Sequence, residues 1–359
     1  MVCGLGRNLL RHSRIPTYLL NADATRNLNR GELRMINFDN CPTAKGVFYG
    51  GNAGAKRAVI YDNSVWMLKY PKTTRDMTNP QISYTSSPLS EHLGSLIYKS
   101  LGLPTHDTLL GISGNKVVVA CRDFTYEVKG SQVVETSRLI HFHHLKNSFM
   151  TSSIDDYSGT GSETFLDEVL ATIAGEETLS QISGVSERFW TMFVIDAFIG
   201  NNDRNNDNWG VILDKDTGMY SLAPVYDNGN AFFNKRSLAQ MEKRIQDIQA
   251  IEEDACNTLT SVYKYTGLDK EGTLIKPFQY IREGSSEECA KALRSFLASV
   301  KREEIEEFVA KIPSSVGNLN VMPETQKDFY IALLRFRLEV FRKQHEQQVS
   351  LSRSSVFDK

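Results

Sequence analysis

The stretch Gly200-Asn201-Asn202-Asp203-Arg204-Asn205-Asn206-Asp207-Asn208-Trp209-Gly210 decides how this chain is read. Its five asparagines and three charged residues predict a loop outside the core, because burying polar groups without partners is costly. Apolar runs grip it on both sides, Phe189 to Ile199 before and Val211 to Leu213 after. Polar loops held between buried elements are the usual seat of chemistry. Asp203 and Asn208 stand five apart, a separation that suits an acid orienting an attacking hydroxyl and an amide ligating a metal ion. Asp207 competes for the acid's role, but only Asp203 keeps the spacing. Downstream, Trp209 to Leu213 and Met219 to Val225 read as strands around a polar turn. That hairpin carries the chain from Asn208 to Asp227-Asn228-Gly229, so Asn208 and Asp227 converge as candidate metal ligands.

Working back toward the N-terminus, the pattern is β. Gly46 to Tyr49, Arg57 to Tyr61 and Val65 to Lys69 read as strands. The first two are joined by the glycine-rich turn Gly50-Gly51-Asn52-Ala53-Gly54-Ala55-Lys56, the next two by Asp62-Asn63-Ser64. Glycines lack Cβ and let backbone amides approach phosphate. A helix starts at Ser87-Pro88, with Leu89, Leu93, Leu96 and Ile97 on one face and Gly102 as its stop. Glu91 lies in its first turn, within reach of a strand lysine such as Lys69. Thr108 to Ile112 and Lys116 to Ala120 read as two more strands. The second runs into Cys121-Arg122-Asp123-Phe124, where the backbone around Ala120 and Arg122 would meet an adenine edge. Ile140-His141-Phe142-His143-His144 places His141 and His143 on one strand face, with no third metal ligand in view.

The second half is helical. Phe165 to Ile173 is amphipathic, and Ser186 to Ile199 is apolar almost all round and therefore buried. Ser285 and Glu288 suggest a capping box, and Pro323 opens a last long helix. Residues 1–34 carry scattered arginines without apolar periodicity; they read as a disordered arm, or as sequence upstream of a start at Met35. Thr73 to Ser87 and Thr151 to Ser162 are polar segments able to offer exposed hydroxyls.

Composition narrows the partners. The chain has 359 residues, 41% hydrophobic and 23% charged, with a formal net charge of -2. Nothing there asks for nucleic acid or an anionic membrane as the main partner. Five scattered cysteines without a CxxC pair favour a reducing, cytoplasmic compartment over a disulfide framework. Neither a membrane span nor a secretory leader is read in the sequence.

Each feature alone has an ordinary structural explanation. Their order does not: glycine loop, strand lysine, helix glutamate, strand end, Asp-x₄-Asn loop, hairpin, Asp-x-Gly. Phosphoryl transfer can use all of these parts, because it depends on positioning and on neutralising the charge of ATP. Asn202-Asp203-Arg204 with Asn208, then Tyr226-Asp227-Asn228-Gly229, resemble the HipA-type serine/threonine kinases, on the compact CtkA-like branch without HipA's extra N-terminal domain. Leu68-Lys69-Tyr70-Pro71, Ser90-Glu91-His92-Leu93-Gly94 and Ala120-Cys121-Arg122-Asp123-Phe124 are similar to that family as well.

The resemblance implies an α+β, two-lobed protein-kinase-like fold. Residues 35–122 would form the β-rich N-terminal, ATP-binding lobe, 123–345 the mostly helical C-terminal lobe and 346–359 a polar tail. It implies ATP with Mg²⁺, and phosphorylation of protein Ser or Thr, often of the kinase itself. Carried over, Lys69 binds phosphates, Glu91 holds Lys69, Asp203 is the catalytic carboxylate, and Asn208 and Asp227 bind metal. Gly50, Gly51, Asn52, Ala53, Gly54 and Lys56 would surround the phosphates. Two departures stand out. Asn205 occupies the place of a HipA histidine, and residues 50–56 contain no Ser or Thr to phosphorylate. The competing readings are a kinase-fold enzyme acting on a lipid or small molecule, and a nucleotide-binding module without catalysis. No basic run favours the first, and the presence of Lys69, Asp203, Asn208 and Asp227 together weighs against the second.

Overall fold

A computed structural model describes residues 31–50, 55–78, 80–154, 157–266 and 272–357. The arm expected at the N-terminus falls mostly outside the described residues, as do Gly51, Asn52, Ala53 and Gly54. Leu33 donates its amide to the Lys311 carbonyl at 2.7 Å and packs with Met35 on the main core. The folded body therefore begins before Met35.

The N-terminal lobe is a five-stranded sheet in the order β1-β4-β5-β3-β2. Its strands are β1 (Ile36–Asn37), β2 (Lys56–Tyr61), β3 (Ser64–Lys69), β4 (Thr108–Ser113) and β5 (Lys116–Arg122), with helix α1 (Ser87–Ser100) between β3 and β4. Only β1 and β4 pair in parallel. Register decides which side chains reach the site. Lys69 stands opposite Val119, and Leu68 opposite Ala120; since side chains alternate across a strand, Lys69, Val119 and Cys121 share the face covered by α1. Leu68, Val118 and Ala120 turn the other way, into a small cluster with Phe38, Val59 and Trp66.

Gly46 to Tyr49 does not form the expected strand. Gly46 takes φ +82° in a turn, and the edge of β2 is met instead by the residues just before it: Ala44 donates to the Ala58 carbonyl at 3.1 Å, and Ile60 to that of Pro42 at 2.8 Å. Beyond β5 come a small hairpin, β6 (Tyr126–Lys129) and β7 (Gln132–Glu135), and then β8 (Ser137–His141). Because β8 ends at His141 and α2 (Phe142–Ser153) begins at once, His141 and His143 do not share a strand face.

The helical lobe follows: α3 (Leu166–Gly175), α4 (Glu177–Ser180), α5 (Val185–Ile199), then β9 (Gly210–Asp214) and β10 (Tyr220–Leu222), which join β8 in a three-stranded sheet. Next are α6 (Leu238–Ile245), α7 (Ile248–Glu252), α8 (Pro277–Glu283), α9 (Glu287–Ser299) and α10 (Arg302–Lys311). The short strands β11 (Ser315–Val316) and β12 (Leu319–Asn320) precede α11 (Glu324–Phe357). Ser286 caps α9 by accepting from the Cys289 amide at 3.1 Å; the cap thus lies one residue beyond the expected Ser285, and with Cys289 at the third helical position the expected box with Glu288 does not form. The last helix runs to Phe357, through most of the segment expected to be a polar tail. No helix among the described residues is long and apolar enough to cross a membrane.

One core joins α1 and the sheet to the helices, and α5 lies at its centre. Gly200 ends α5 in the left-handed region at φ +72°, where a side chain is disfavoured. A Cβ there would also stand 2.7 Å from the guanidinium of Arg337. Arg337 is fully buried on α11 and donates to the carbonyl of Phe198 at 3.1 Å and to that of Ala255 at 2.9 Å. A cation thus closes the negative end of the α5 dipole just where the polar loop begins.

Candidate active site

Half of the loop from Asn201 to Asn208 is buried, contrary to its composition. Asn201, Arg204, Asn206 and Asn208 are buried, while Asn202, Asp203 and Asp207 are exposed. The loop tolerates burial because it supplies its own partners. Arg204 donates from Nε to Asp196 Oδ2 at 2.9 Å and from Nη2 to Asp196 Oδ1 at 3.2 Å. Its Nη1 reaches the carbonyls of Asn208 and Tyr226, and Nη2 also reaches Asn228 Oδ1. Asp196 in turn accepts from Tyr98 Oη at 2.7 Å and from Asn201 Nδ2 at 2.9 Å. One guanidinium therefore ties α5, the loop and the Asp227 segment into a single network. From the other side, the amides of Phe142 and His143 donate to the carbonyls of Trp209 and Asn206, both at 3.0 Å. The Phe142 and Trp209 rings stack 4.0 Å apart.

Within this frame Asn208 Nδ2 donates to the Asp203 carbonyl at 2.5 Å, which turns the oxygen branch of the amide elsewhere. Asp203 accepts from Asn205 Nδ2 at 3.0 Å. Partial burial raises the Asp203 pKa; the Asn205 bond opposes this and the Asp227 charge adds to it, so the group stands above its ordinary value. Asp207, the competing acid, places Oδ1 2.5 Å from His143 Nδ1.

Lys69 is the centre of charge. Its Nζ lies 3.0 Å from Glu91 Oε2 and 3.0 Å from Asp227 Oδ1. Burial alone would lower its pKa, but Asp227 and Glu91 hold it well above the ordinary lysine value. Glu91 is 1% exposed, and its other oxygen faces His106 Nε2 at 3.1 Å. Burial pushes the Glu91 carboxyl up, yet Lys69 and His106 pull it well below the usual carboxylate range. Asp227 sits at φ +60°, uncommon for a residue with a side chain, and its neighbour Asn228 donates to Ser95 Oγ at 3.1 Å on α1.

The structure thus brings together Lys69, Glu91 and Asp227, and holds Asp203 and Asn208 in one loop fastened to the same segment. Lys56 donates to the Gly50 carbonyl at 2.7 Å; burial lowers its pKa, and the Lys69 charge lowers it further. At the expected adenine edge, the Arg122 amide donates to the Asp107 carbonyl at 2.8 Å, and between Ala120 and Arg122 the side chain on the Lys69 face is that of Cys121. Sequence reading also missed Arg204, Asp196, Tyr98 and His106. Their roles arise from contacts between distant parts of the chain, and only the central position of Arg204 in the loop hinted at one of them.

No protein-family model matches the chain. It is similar to the serine/threonine-protein kinase CtkA of Helicobacter pylori, 28% identical over 318 residues that cover 88% of this chain and 90% of the relative. The crystal structure of a Helicobacter pylori proinflammatory kinase CtkA superposes with a TM-score of 0.73 at 26% identity, covering 87% of this chain and 99% of that one. A structure of the Shewanella oneidensis HipA and HipB toxin–antitoxin system with operator DNA gives a TM-score of 0.48 at 10% identity, covering 84% and 69%.

Proposed function

We propose that this chain, which is similar to the serine/threonine-protein kinase CtkA, is a HipA-like kinase of that type that uses ATP and Mg²⁺ to phosphorylate Ser or Thr of a protein and also phosphorylates itself. The observation that carries the finer reading is Lys69, bonded at 3.0 Å to both Glu91 and Asp227, beside a loop presenting Asp203 and Asn208. Glu91 keeps Lys69 charged and aimed, ready for the α- and β-phosphates. The Asn208 amide oxygen and the Asp227 carboxylate are hard oxygen donors, the set that suits Mg²⁺. When bound, MgATP supplies the transferable phosphoryl group. Lys69 then neutralises phosphate charge, and Asp203 accepts a hydrogen bond from the acceptor hydroxyl and sets its direction of attack. The raised pKa of Asp203 suits a group that takes up that proton as transfer completes. Gly50 and Lys56 would lie toward the phosphates, while the residues expected between them, 51–54, lie outside the described ones. For self-phosphorylation the exposed hydroxyls of Thr73, Thr78 and Ser83, and of Thr151, Ser152, Ser153, Ser158, Thr160 and Ser162, are candidate acceptors in the two polar segments.

The test is phosphate incorporation into the purified protein from ATP labelled on the γ-phosphate, with Mg²⁺, beside Asp203→Ala. Label on Ser or Thr of the wild type alone is the expected result. Equal label in both would move the carboxylate's role away from Asp203. Absence of label in a wild type that binds ATP would overturn self-phosphorylation. In parallel, Asp227→Ala is expected to lose Mg²⁺-dependent nucleotide binding, and unchanged MgATP affinity would remove the metal assignment.

A further inference from the structure

Beside Asp203 lies a cavity of about 280 Å³ that the phosphate-binding groups do not use. Its walls include Asn202 from the loop, Asn230 and Lys235 from the segment after Asp227, and Thr258, Leu259 and Thr260 from beyond α7. Asn230 Nδ2 donates to Asn202 Oδ1 at 2.5 Å, which fastens the strip carrying Lys235 to the loop carrying Asp203. Asn202, Asn230, Asn234, Gln240, Thr258 and Thr260 bring amides and hydroxyls to the lining, groups that donate and accept hydrogen bonds with an extended peptide backbone. It adjoins the one carboxylate that would meet an acceptor hydroxyl.

The charge inside this wall is selective. Arg236 is committed to Asp254 through both terminal nitrogens and stacks over the Phe233 ring at 4.2 Å. Lys235 is exposed, and among the described residues no ion-pair partner for it is found. Its charge nevertheless reaches Asp203 and opposes the burial that raises that carboxyl. The donor side of the site already has Lys69 bound to two carboxylates. On the acceptor side, the position two beyond Asp203 holds the uncharged Asn205, and of the two cations among the described residues lining the cavity, Lys235 is the one without a carboxylate partner.

We propose that this cavity seats the residues flanking the acceptor Ser or Thr, and that Lys235 selects substrates carrying an acidic side chain beside it. The proposal rests on the protein-kinase reading and narrows its substrate class. A cation at the rim of a binding site discriminates between partners by charge more than it adds affinity. Acidic peptides therefore gain and basic ones lose.

The experiment uses the full chain, MgATP and peptides with a single Ser in a neutral background. Asp or Lys is moved from three places before the Ser to three places after it. The wild type is expected to favour Asp over Lys at one or more positions by roughly tenfold in kcat/KM, the factor of about one ion pair. Lys235→Ala loses the preference through the peptide KM while the KM for ATP stays in place. Lys235→Glu turns the preference toward Lys at the same positions. A wild type indifferent to Asp, a Lys235→Glu variant that keeps the preference for Asp, or a wild type that labels itself but no peptide would each overturn the proposal. A wild type that labels neither itself nor any peptide removes the kinase reading beneath it.

Discussion

Arg204 spends its whole guanidinium inside the protein, 3% exposed, with donors shared among Asp196, Asn228 and two carbonyls. Its cation also lies 5.7 Å from the centre of the Tyr98 ring. Removing such a cation leaves Asp196 charged and buried, 5% exposed, with only hydroxyl and amide donors. Breaking a buried pair from one side costs about 3–5 kcal/mol. Arg204→Met is therefore expected to lose about that much stability in chemical denaturation. Arg204→Lys retains the charge but not the planar fork, so it is expected to fold and to lose most of its phosphate transfer. A methionine variant within about 0.5 kcal/mol of wild type would mean that the loop is held by its asparagines and not by the guanidinium. The same residue shows why composition misled: polarity marks a loop as exposed only if its partners are water, and here they are Asp196, Tyr98 and Asn228.

Helix α1 is the element on which the site depends, because it carries Glu91 on one turn and Gly94 on the next. A Cβ at Gly94 would stand 2.7 Å from Asn228 Cβ and 3.4 Å from Ile199 Cδ1. Residues three apart share a helix face, so a shift that relieves Gly94 also moves Glu91 from Lys69. Gly94→Ala is expected to cost about 1–3 kcal/mol, as overpacking does, and to weaken both MgATP binding and phosphate transfer. Calorimetric binding of MgATP checks this, and wild-type affinity would show that α1 is positioned by something other than its approach to Asn228. Elements of this kind were legible. The apolar spacing of α1 with its Pro88 start, the strands either side of Asp62-Asn63-Ser64, and the all-round apolar α5 each carry a local signal that tertiary packing did not override. Elements whose ends are set by distant contacts were not. β8 stops at His141 because the next two amides are claimed by the catalytic-type loop. Likewise, the edge of β2 is met by Pro42 and Ala44, so Gly46 to Tyr49 has no ladder to join. The order of candidate site residues was readable, while the hydrogen-bonded frame behind them was not.

Across the whole molecule the two lobes share one core, so a group buried within the N-terminal lobe acts on global stability. His92 on α1 is 4% exposed and meets Thr108 Oγ1 on β4 through Nδ1 at 2.9 Å. Burial pushes its pKa down to about 4 from the ordinary 6.5. The folded state thus keeps His92 neutral while the unfolded chain protonates it, so the unfolded state binds more protons between those values. Stability from this source is fully present above about pH 6.5 and drains away as pH falls toward 4, by roughly 3 kcal/mol for a shift of this size. Glu91 acts in the same sense at lower pH: its depressed pKa contributes stability above the ordinary glutamate range, and that stability is lost as pH falls below it. Urea denaturation of the wild type at pH 7.5, 6.0 and 5.0, beside His92→Gln, separates the two. The wild type is expected to weaken steadily through this window and the variant to weaken less, by nearly one proton's slope. Parallel slopes would mean that His92 takes up its proton in the fold over the same pH range as in the unfolded chain, and that the contact between α1 and β4 admits charge after all.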